Sequence, residues 1–157
     1  MTLFLIVGCG DNYILPDSYN NMNKGRNRII LSLGSNLSPK KNIDWACDEL
    51  RKLLPDIVFS KAVYTKPCNW HCEDLFLNCV AIADTDYLKD ELVSFFKSLE
   101  RESGRTAESK IIGKISLDID LLQWNDCILK PGDMKREYVM NGLLSLEAEL
   151  QNDERSK

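Results

Sequence analysis

Two carboxylates separated by one residue, Asp118 and Asp120, lie within the apolar segment Ile115-Ser116-Leu117-Asp118-Ile119-Asp120-Leu121-Leu122. On a β-strand, alternate side chains face opposite sides, so both carboxylates would face one side while the leucines and isoleucines enter a core. Mg²⁺ typically binds one or two carboxylates together with substrate phosphates. The spacing suggests a metal site, and a half-buried strand with a solvated polar face is the alternative.

A second motif combines an aromatic ring with an amide on one face of a predicted strand. Phe76 and Asn78 flank Leu77, so their side chains share the opposite face. A ring can stack on a flat heterocycle, and an amide supplies two donors and an acceptor. Gly34 closes the first predicted strand, where glycine lets the backbone approach another group closely. An ordinary core phenylalanine, a structural asparagine and a plain turn are the alternatives.

The cysteines predict a reducing environment. Cys47, Cys79 and Cys127 lie within apolar patterns, where a free cysteine behaves as a small hydrophobe. The segment Cys68-Asn69-Trp70-His71-Cys72 offers three soft metal ligands, but a structural zinc usually takes four. No Lys or Arg precedes the short apolar stretch 3–7, so no export signal is predicted and a cytoplasmic protein is expected.

Composition predicts one globular domain. The chain has 157 residues, of which 44% are hydrophobic and 28% charged. A net charge of −4 argues against a nucleic-acid-binding face, and no apolar run has the roughly 20 residues that span a membrane. Residues 1–27 lack periodicity and are interpreted as an irregular N-terminal extension, followed by the domain at 28–157.

Hydrophobic periodicity predicts an alternation of strands and helices. Strands are expected at 29–33, 57–64, 75–83 and 115–124. One helix is expected to begin at a Ser38 side-chain cap and another at Thr85 and Asp86, the latter with an inner stripe of Leu88, Leu92, Phe95 and Leu99. A last helix, from about residue 133, repeats apolar residues at Val139, Leu143, Leu146 and Leu150. This order predicts an α+β, ferredoxin-like β-α-β-β-α-β antiparallel sheet with helices on one face, plus a C-terminal helix.

Five short segments, taken in their order and spacing, resemble a known family. They are Leu33-Gly34-Ser35-Asn36, Tyr64-Thr65-Lys66-Pro67, Phe76-Leu77-Asn78, Leu99-Glu100 followed by Gly104-Arg105, and Leu117-Asp118-Ile119-Asp120-Leu121-Leu122. Together they resemble the 6-hydroxymethyl-7,8-dihydropterin pyrophosphokinases, and the chain is identified as a short, divergent member. The resemblance implies Mg²⁺-dependent transfer of pyrophosphate from ATP to 6-hydroxymethyl-7,8-dihydropterin in folate biosynthesis.

The same resemblance implies a role for each matching residue. Asp118 and Asp120 would hold two Mg²⁺ ions and act in catalysis with Arg105. The residues expected to bind the pterin are Lys66, Pro67, Phe76 and Asn78. Those expected to contact ATP, the co-substrate, are Glu100, Arg105 and Lys114. No nucleic acid or membrane partner is expected, and a monomer is favoured.

Departures from the family pattern leave two alternatives open. The loop 106–116 contains Lys110 and Lys114 but no arginine or tryptophan, and Ile115 stands at the family's arginine position. Lysine lacks the planar fork that binds phosphate with two hydrogen bonds; Lys114 or Arg136 is a candidate for the missing charge. At the position of the aromatic that closes the family's pterin sandwich, this chain has Val139, or the aromatic is displaced to Tyr138. The alternatives are a degenerate pterin- or nucleotide-binding relative and a non-enzymatic ferredoxin-like module.

Overall fold

The computed structural model describes residues 26–67 and 73–156. The expectations for the N-terminal apolar stretch and for zinc at residues 68–72 therefore lie outside the described residues. The first strand begins at Asn27, one residue before the predicted start of the domain.

The described residues form a six-stranded antiparallel sheet flanked by helices, which confirms the predicted α+β class. The strand order is β2-β4-β1-β5-β6, and β3 also pairs with β4. The strands are β1 (Asn27–Ser35), β2 (Val58–Phe59), β3 (Val63–Thr65), β4 (Phe76–Thr85), β5 (Asp118–Trp124) and β6 (Cys127–Ile128). The helices are α1 (Pro39–Leu53), α2 (Lys89–Glu102), α3 (Ala107–Ile111), α4 (Pro131–Met134) and α5 (Glu137–Arg155).

Strand alternation creates a separate core on each face of the sheet. On one face, Ile29, Leu31 and Leu33 of β1 pack in a cluster that includes apolar residues of α1 and α2. On the other face, Ile30 of β1 packs in a cluster with residues of α5. Successive side chains of β1 thus enter different cores, because they point to opposite sides of the pleated strand.

Helix α5 covers part of the face opposite α1 and α2. Its predicted apolar stripe is confirmed, since Val139, Leu143 and Leu146 are buried in the second core. Gly142 permits a close approach to β4, where a Cβ atom would collide with the side chain of Val80. Helices therefore flank both faces, and the part of this face that α5 leaves uncovered carries the site described below.

The predicted strand at 57–64 is two short strands instead. From Val58 to Val63 the chain advances five residues, while their partners on β4 advance four, from Ile82 to Asn78. This one-residue change of register interrupts the ladder and shifts the alternation of side chains by one, so Val58 and Val63 face the same side of the sheet although they are five residues apart.

Three local expectations were wrong. Ser38 precedes α1 in a left-handed conformation, and its side chain makes no capping hydrogen bond. Helix α2 begins at Lys89 rather than after Thr85, and Leu88 is 68% exposed, while Phe96 takes the buried position. Strand β5 begins only at Asp118, so Ile115 precedes it and lines a cavity.

Among the described residues, no helix is long and apolar enough to cross a membrane.

Candidate active site

A cavity of about 610 Å³ lies over the part of the sheet that α5 leaves uncovered. Its floor consists of side chains and backbone from three neighbouring strands: Ser32 and Gly34 of β1, Phe76 and Asn78 of β4, and Asp118 and Asp120 of β5. In the sheet register, Gly34 lies opposite Asn78 on one side and Asp118 on the other. Strand pairing therefore brings the predicted pterin residues and the predicted metal ligands to one surface.

The walls of the cavity come from connecting segments. One side is Thr65, the last residue of β3, with Lys66 and Pro67 after it. Another is the segment from Arg105 to Ile115, and a third is the start of α5 with the residues just before it. The predicted site residues that line the cavity are Lys66, Pro67, Phe76, Asn78, Arg105, Asp118 and Asp120.

Arg105 holds Asp118 in place. Its Nη1 donates to Asp118 Oδ1 at 2.6 Å and to the Leu117 carbonyl at 3.1 Å. Burial raises the pKa of Asp118, but the hydrogen bond and charge of Arg105 outweigh burial, so the pKa of this carboxyl lies below its usual value. Asp118 is thus ionised at neutral pH.

Lys130 forms an ion pair with Asp120, the second carboxylate. Burial and the negative charge of Asp118 raise the pKa of Asp120, even though Lys130 opposes that shift. Lys130 precedes α4, and no sequence pattern places it here, because its contact with β5 depends on the turn after β6.

Glu100 lies beneath the site rather than in it. Its side chain is buried, and Oε1 accepts a hydrogen bond from the Ile119 backbone N–H at 2.9 Å. The same oxygen lies 3.2 Å from Arg105 Nη1, and Lys97 Nζ donates to Oε2 at 2.9 Å. Glu100 therefore fixes Arg105 against β5, and its predicted contact with the nucleotide stays a prediction.

Lys114 also lies outside the cavity lining, and it forms an ion pair with Asp74. The loop that carries it is anchored by Asn36, whose Nδ2 donates to the Gly113 carbonyl at 2.7 Å. The backbone N–H of Ile115 donates to Asn36 Oδ1 at 2.6 Å. The motif around Asn36 thus fixes one end of the loop over the cavity.

Asn78 is positioned by its neighbours on the sheet. Its Nδ2 donates to Thr65 Oγ1 at 2.6 Å. A Cβ atom at Gly34 would lie 2.7 Å from Asn78 Oδ1, which is too close for a real contact. The predicted close approach at Gly34 is therefore an approach of the Asn78 side chain to the β1 backbone.

The structure separates the two residues considered for the position of the family's second aromatic. Val139 is fully buried in the second core, whereas Tyr138 lines the cavity. Burial raises the pKa of Tyr138, and a hydrogen bond to Ser32 opposes the rise. Arg136, one candidate for the missing charge, lines the cavity and pairs with Asp133 at 2.9 Å.

The carboxylate pair fits a hard divalent cation. Within residues 26–67 and 73–156, no three His, Cys, Asp or Glu side chains converge as a metal cluster. A cation on Asp118 and Asp120 would therefore take its other ligands from water and phosphate oxygens, which is the usual coordination of Mg²⁺. In the structure, basic side chains balance both carboxylates, so a cation must compete with them.

Comparisons with known proteins decide the family. A model of the family 7,8-dihydro-6-hydroxymethylpterin-pyrophosphokinase matches residues 30–148. The chain belongs to this family. The matched range includes every predicted site residue, and the resemblance inferred from the five segments is confirmed.

Individual relatives agree with this assignment. The chain is 30% identical over 128 residues to a 2-amino-4-hydroxy-6-hydroxymethyldihydropteridine pyrophosphokinase of Aquifex aeolicus, covering 76% of this chain and 79% of that protein. It is 32% identical over 117 residues to a folic acid synthesis protein of Dictyostelium discoideum, covering 74% of this chain but 18% of that protein. A folate synthesis bifunctional protein of Chlamydia muridarum is 31% identical, with 76% of this chain and 30% of the relative covered. The chain thus spans less than a third of these two longer proteins.

Proposed function

We propose that this protein transfers the pyrophosphoryl group of ATP to 6-hydroxymethyl-7,8-dihydropterin, with Mg²⁺ as cofactor, in folate biosynthesis. The observation that carries the proposal is the placement of three kinds of group in one cavity. These are the carboxylate pair of β5, the ring and amide of Phe76 and Asn78, and basic side chains from the walls. The first kind suits a metal ion, the second a flat heterocycle and the third a polyphosphate.

The pterin is assigned to the end of the cavity formed by β3 and β4. Phe76 offers an aromatic surface for stacking, and Lys66 and Pro67 line the same side. Asn78 uses one amide hydrogen for Thr65, so its second N–H and its carbonyl oxygen are available to the heterocycle. Because Thr65 fixes the amide, this recognition group is held in place before substrate binds.

The triphosphate is assigned to the basic walls. Arg136 and Lys110 line the cavity, and Arg136 supplies the planar fork that the loop lacks. Asp118 and Asp120 would hold two Mg²⁺ ions, which when bound neutralise phosphate charge and orient the triphosphate. Glu100 and Lys114, the other predicted nucleotide residues, would act indirectly, through Arg105 and Asp74.

The proposed reaction is a displacement at phosphorus. The pterin hydroxyl oxygen forms a bond to the β-phosphorus of ATP, and the bond from that phosphorus to the oxygen shared with the α-phosphate breaks. AMP leaves with the electron pair of the broken bond, and the hydroxyl proton passes to water. The residues of the chain mainly hold the two substrates in line and keep Asp118 ionised through Arg105.

The test is formation of AMP from ATP, Mg²⁺ and 6-hydroxymethyl-7,8-dihydropterin, measured by chromatography. We expect Asp118→Asn to lower turnover by at least about 10²-fold, since a charged ligand of the Mg²⁺ ions that neutralise the phosphates is lost. Asp126→Asn, an exposed aspartate between β5 and β6, is the matched control and should keep wild-type turnover. Absence of AMP above a blank at saturating substrates would refute the proposal, and unchanged turnover in Asp118→Asn would refute the metal assignment.

A second candidate is a relative that binds a pterin or nucleotide without turnover. Ile115 at the family's arginine position and the basic partners of both carboxylates favour it. A rise in melting temperature with the pterin, in a protein that forms no AMP, would identify this case.

The compartment and the assembly state are part of the proposal. Cys47 and Cys79 are free thiols buried in the core, which favours a reducing, cytoplasmic location. A complete set of the predicted pterin and metal residues lines the cavity of one chain, so activity as a monomer is proposed. Light scattering during turnover would test it.

A further inference from the structure

We infer that Lys130 is a built-in competitor of the cation at Asp118 and Asp120, and that it sets the Mg²⁺ concentration at which the site fills. This inference rests on the proposed function. It concerns a residue that none of the five matching segments contains.

The charges of the site are already balanced by the chain. Asp118 and Asp120 together carry two negative charges when ionised, and each has one cation of the chain beside it, Arg105 and Lys130 respectively. The structure thus shows a carboxylate pair that is neutralised by its neighbours. A divalent ion that binds both carboxylates must therefore displace at least one of these side chains or accept its repulsion.

Arg105 is fixed in its position. Its side chain is 17% exposed and contacts Asp118, Glu100 and the Leu117 carbonyl. Glu100 is itself buried and bonded to the β5 backbone. Displacing Arg105 would break its hydrogen bonds to Asp118 and to the Leu117 carbonyl, and it would remove the cation beside the buried Glu100 carboxylate.

Lys130, in contrast, can leave. Its side chain is 43% exposed, and Asp120 is its ion-pair partner. Lysine is a compact charge on a flexible stem, so it can move into solvent with little cost. The backbone contacts of Lys130, to Leu122 and Met134, do not involve the side chain, so the turn can keep its shape when Nζ moves.

The experiment measures Mn²⁺ and Mg²⁺ binding to the full chain by titration calorimetry, without nucleotide, in wild type, Lys130→Gln, Lys130→Arg and Lys52→Gln. Lys52 is the control, because it forms a surface ion pair with Glu49 on α1, against the other face of the sheet. We expect Lys130→Gln to bind both ions roughly fivefold more tightly, the equivalent of one exposed ion pair. Lys130→Arg and Lys52→Gln should bind as wild type does, because the first keeps the charge and the second is remote.

The outcomes separate this inference from the proposed function. Equal affinities in wild type and Lys130→Gln would overturn the inference and leave the function intact. Absence of binding in both proteins would overturn the inference and the metal assignment together. If AMP formation depends on Mg²⁺, the Mg²⁺ concentration that gives half-maximal turnover should fall in Lys130→Gln by the same factor as the Mg²⁺ dissociation constant. Circular dichroism of each variant establishes that it is folded, and Lys130→Met, which removes the same charge, replaces Lys130→Gln if that variant does not fold.

Discussion

Replacing Gly34 by alanine should displace the side-chain amide of Asn78, the group proposed to recognise the pterin. The new Cβ would lie 2.7 Å from Asn78 Oδ1, whereas ordinary contacts begin at 3.4 Å, so the amide must move by about 0.7 Å. Thr65 opposes this movement because its hydroxyl accepts a 2.6 Å hydrogen bond from the same amide. Overpacking of this kind costs about 1–3 kcal/mol, and the better strand propensity of alanine returns about 0.5–1 kcal/mol. We expect a net loss of roughly 1–2 kcal/mol in the free energy of unfolding.

A double-mutant cycle with Asn78→Ala isolates the cause. Without Oδ1, the nearest remaining neighbour of the new methyl is Phe76 Cδ1 at 3.7 Å, an ordinary contact. Gly34→Ala should therefore be neutral or slightly stabilising in that background, which gives a coupling free energy of about 2 kcal/mol. Urea unfolding measures all four proteins, and a melting-temperature assay with the pterin should show weaker binding in Gly34→Ala.

Gly132→Ala is the matched control, since no atom lies within 4 Å of the place its new methyl would occupy and the residue belongs to a helix. It should leave stability unchanged or raise it slightly. The proposed collision is refuted if Gly34→Ala lowers the free energy of unfolding no more than Gly132→Ala does. It is also refuted if Gly34→Ala lowers it equally with and without the Asn78 side chain.

Two further predictions concern buried titratable groups away from the cavity. Burial raises the pKa of Glu147 and Arg28 only partly opposes it, so its ionisation destabilises the fold as pH rises above the ordinary carboxyl range. Glu147→Gln should be more stable than wild type at neutral pH in urea unfolding, with the difference vanishing in acid; a constant difference would contradict this origin. The pKa of Cys79 is raised by the hydrogen bond that its thiol donates to Cys47 and by burial, and Cys47 is buried in the same core, whereas Cys127 is exposed. An alkylating reagent should modify Cys127 in the native protein, and Cys47 and Cys79 only after unfolding, as measured by peptide mass spectrometry. Early modification of Cys47 or Cys79 would show that α1 opens from the sheet.

The arrangement of charged side chains around Arg105 could not be predicted from the sequence. The order Glu100, Arg105, Asp118 is visible in the chain, and the resemblance placed all three near the nucleotide. The structure instead stacks them, with Glu100 beneath Arg105 and Arg105 against Asp118. Which of these three charged side chains is buried depends on how α2 packs on β5. No local sequence pattern encodes the distance between that helix and that strand.

Local patterns failed where long-range pairing competed with them. The apolar run 57–64 has the composition of one strand, but its partner β4 imposes a one-residue change of register and divides it. Leu88 has helical spacing with Leu92, yet it precedes the first turn of α2 and faces solvent. In both cases the pattern identified the element, and contacts with other elements decided its limits.

The amino-acid sequence by itself determined the α+β class, the family, and the alternation that places Asp118 and Asp120 opposite Ile119, because these depend on periodicity and on motif order. Tertiary structure alone decided that α5 covers one end of the second sheet face, that Tyr138 rather than Val139 borders the cavity, and that Lys130 neutralises Asp120. The reason is physical: side-chain periodicity is fixed within a few residues, whereas ion pairs and packing join residues whose distance is set only when the whole sheet has formed.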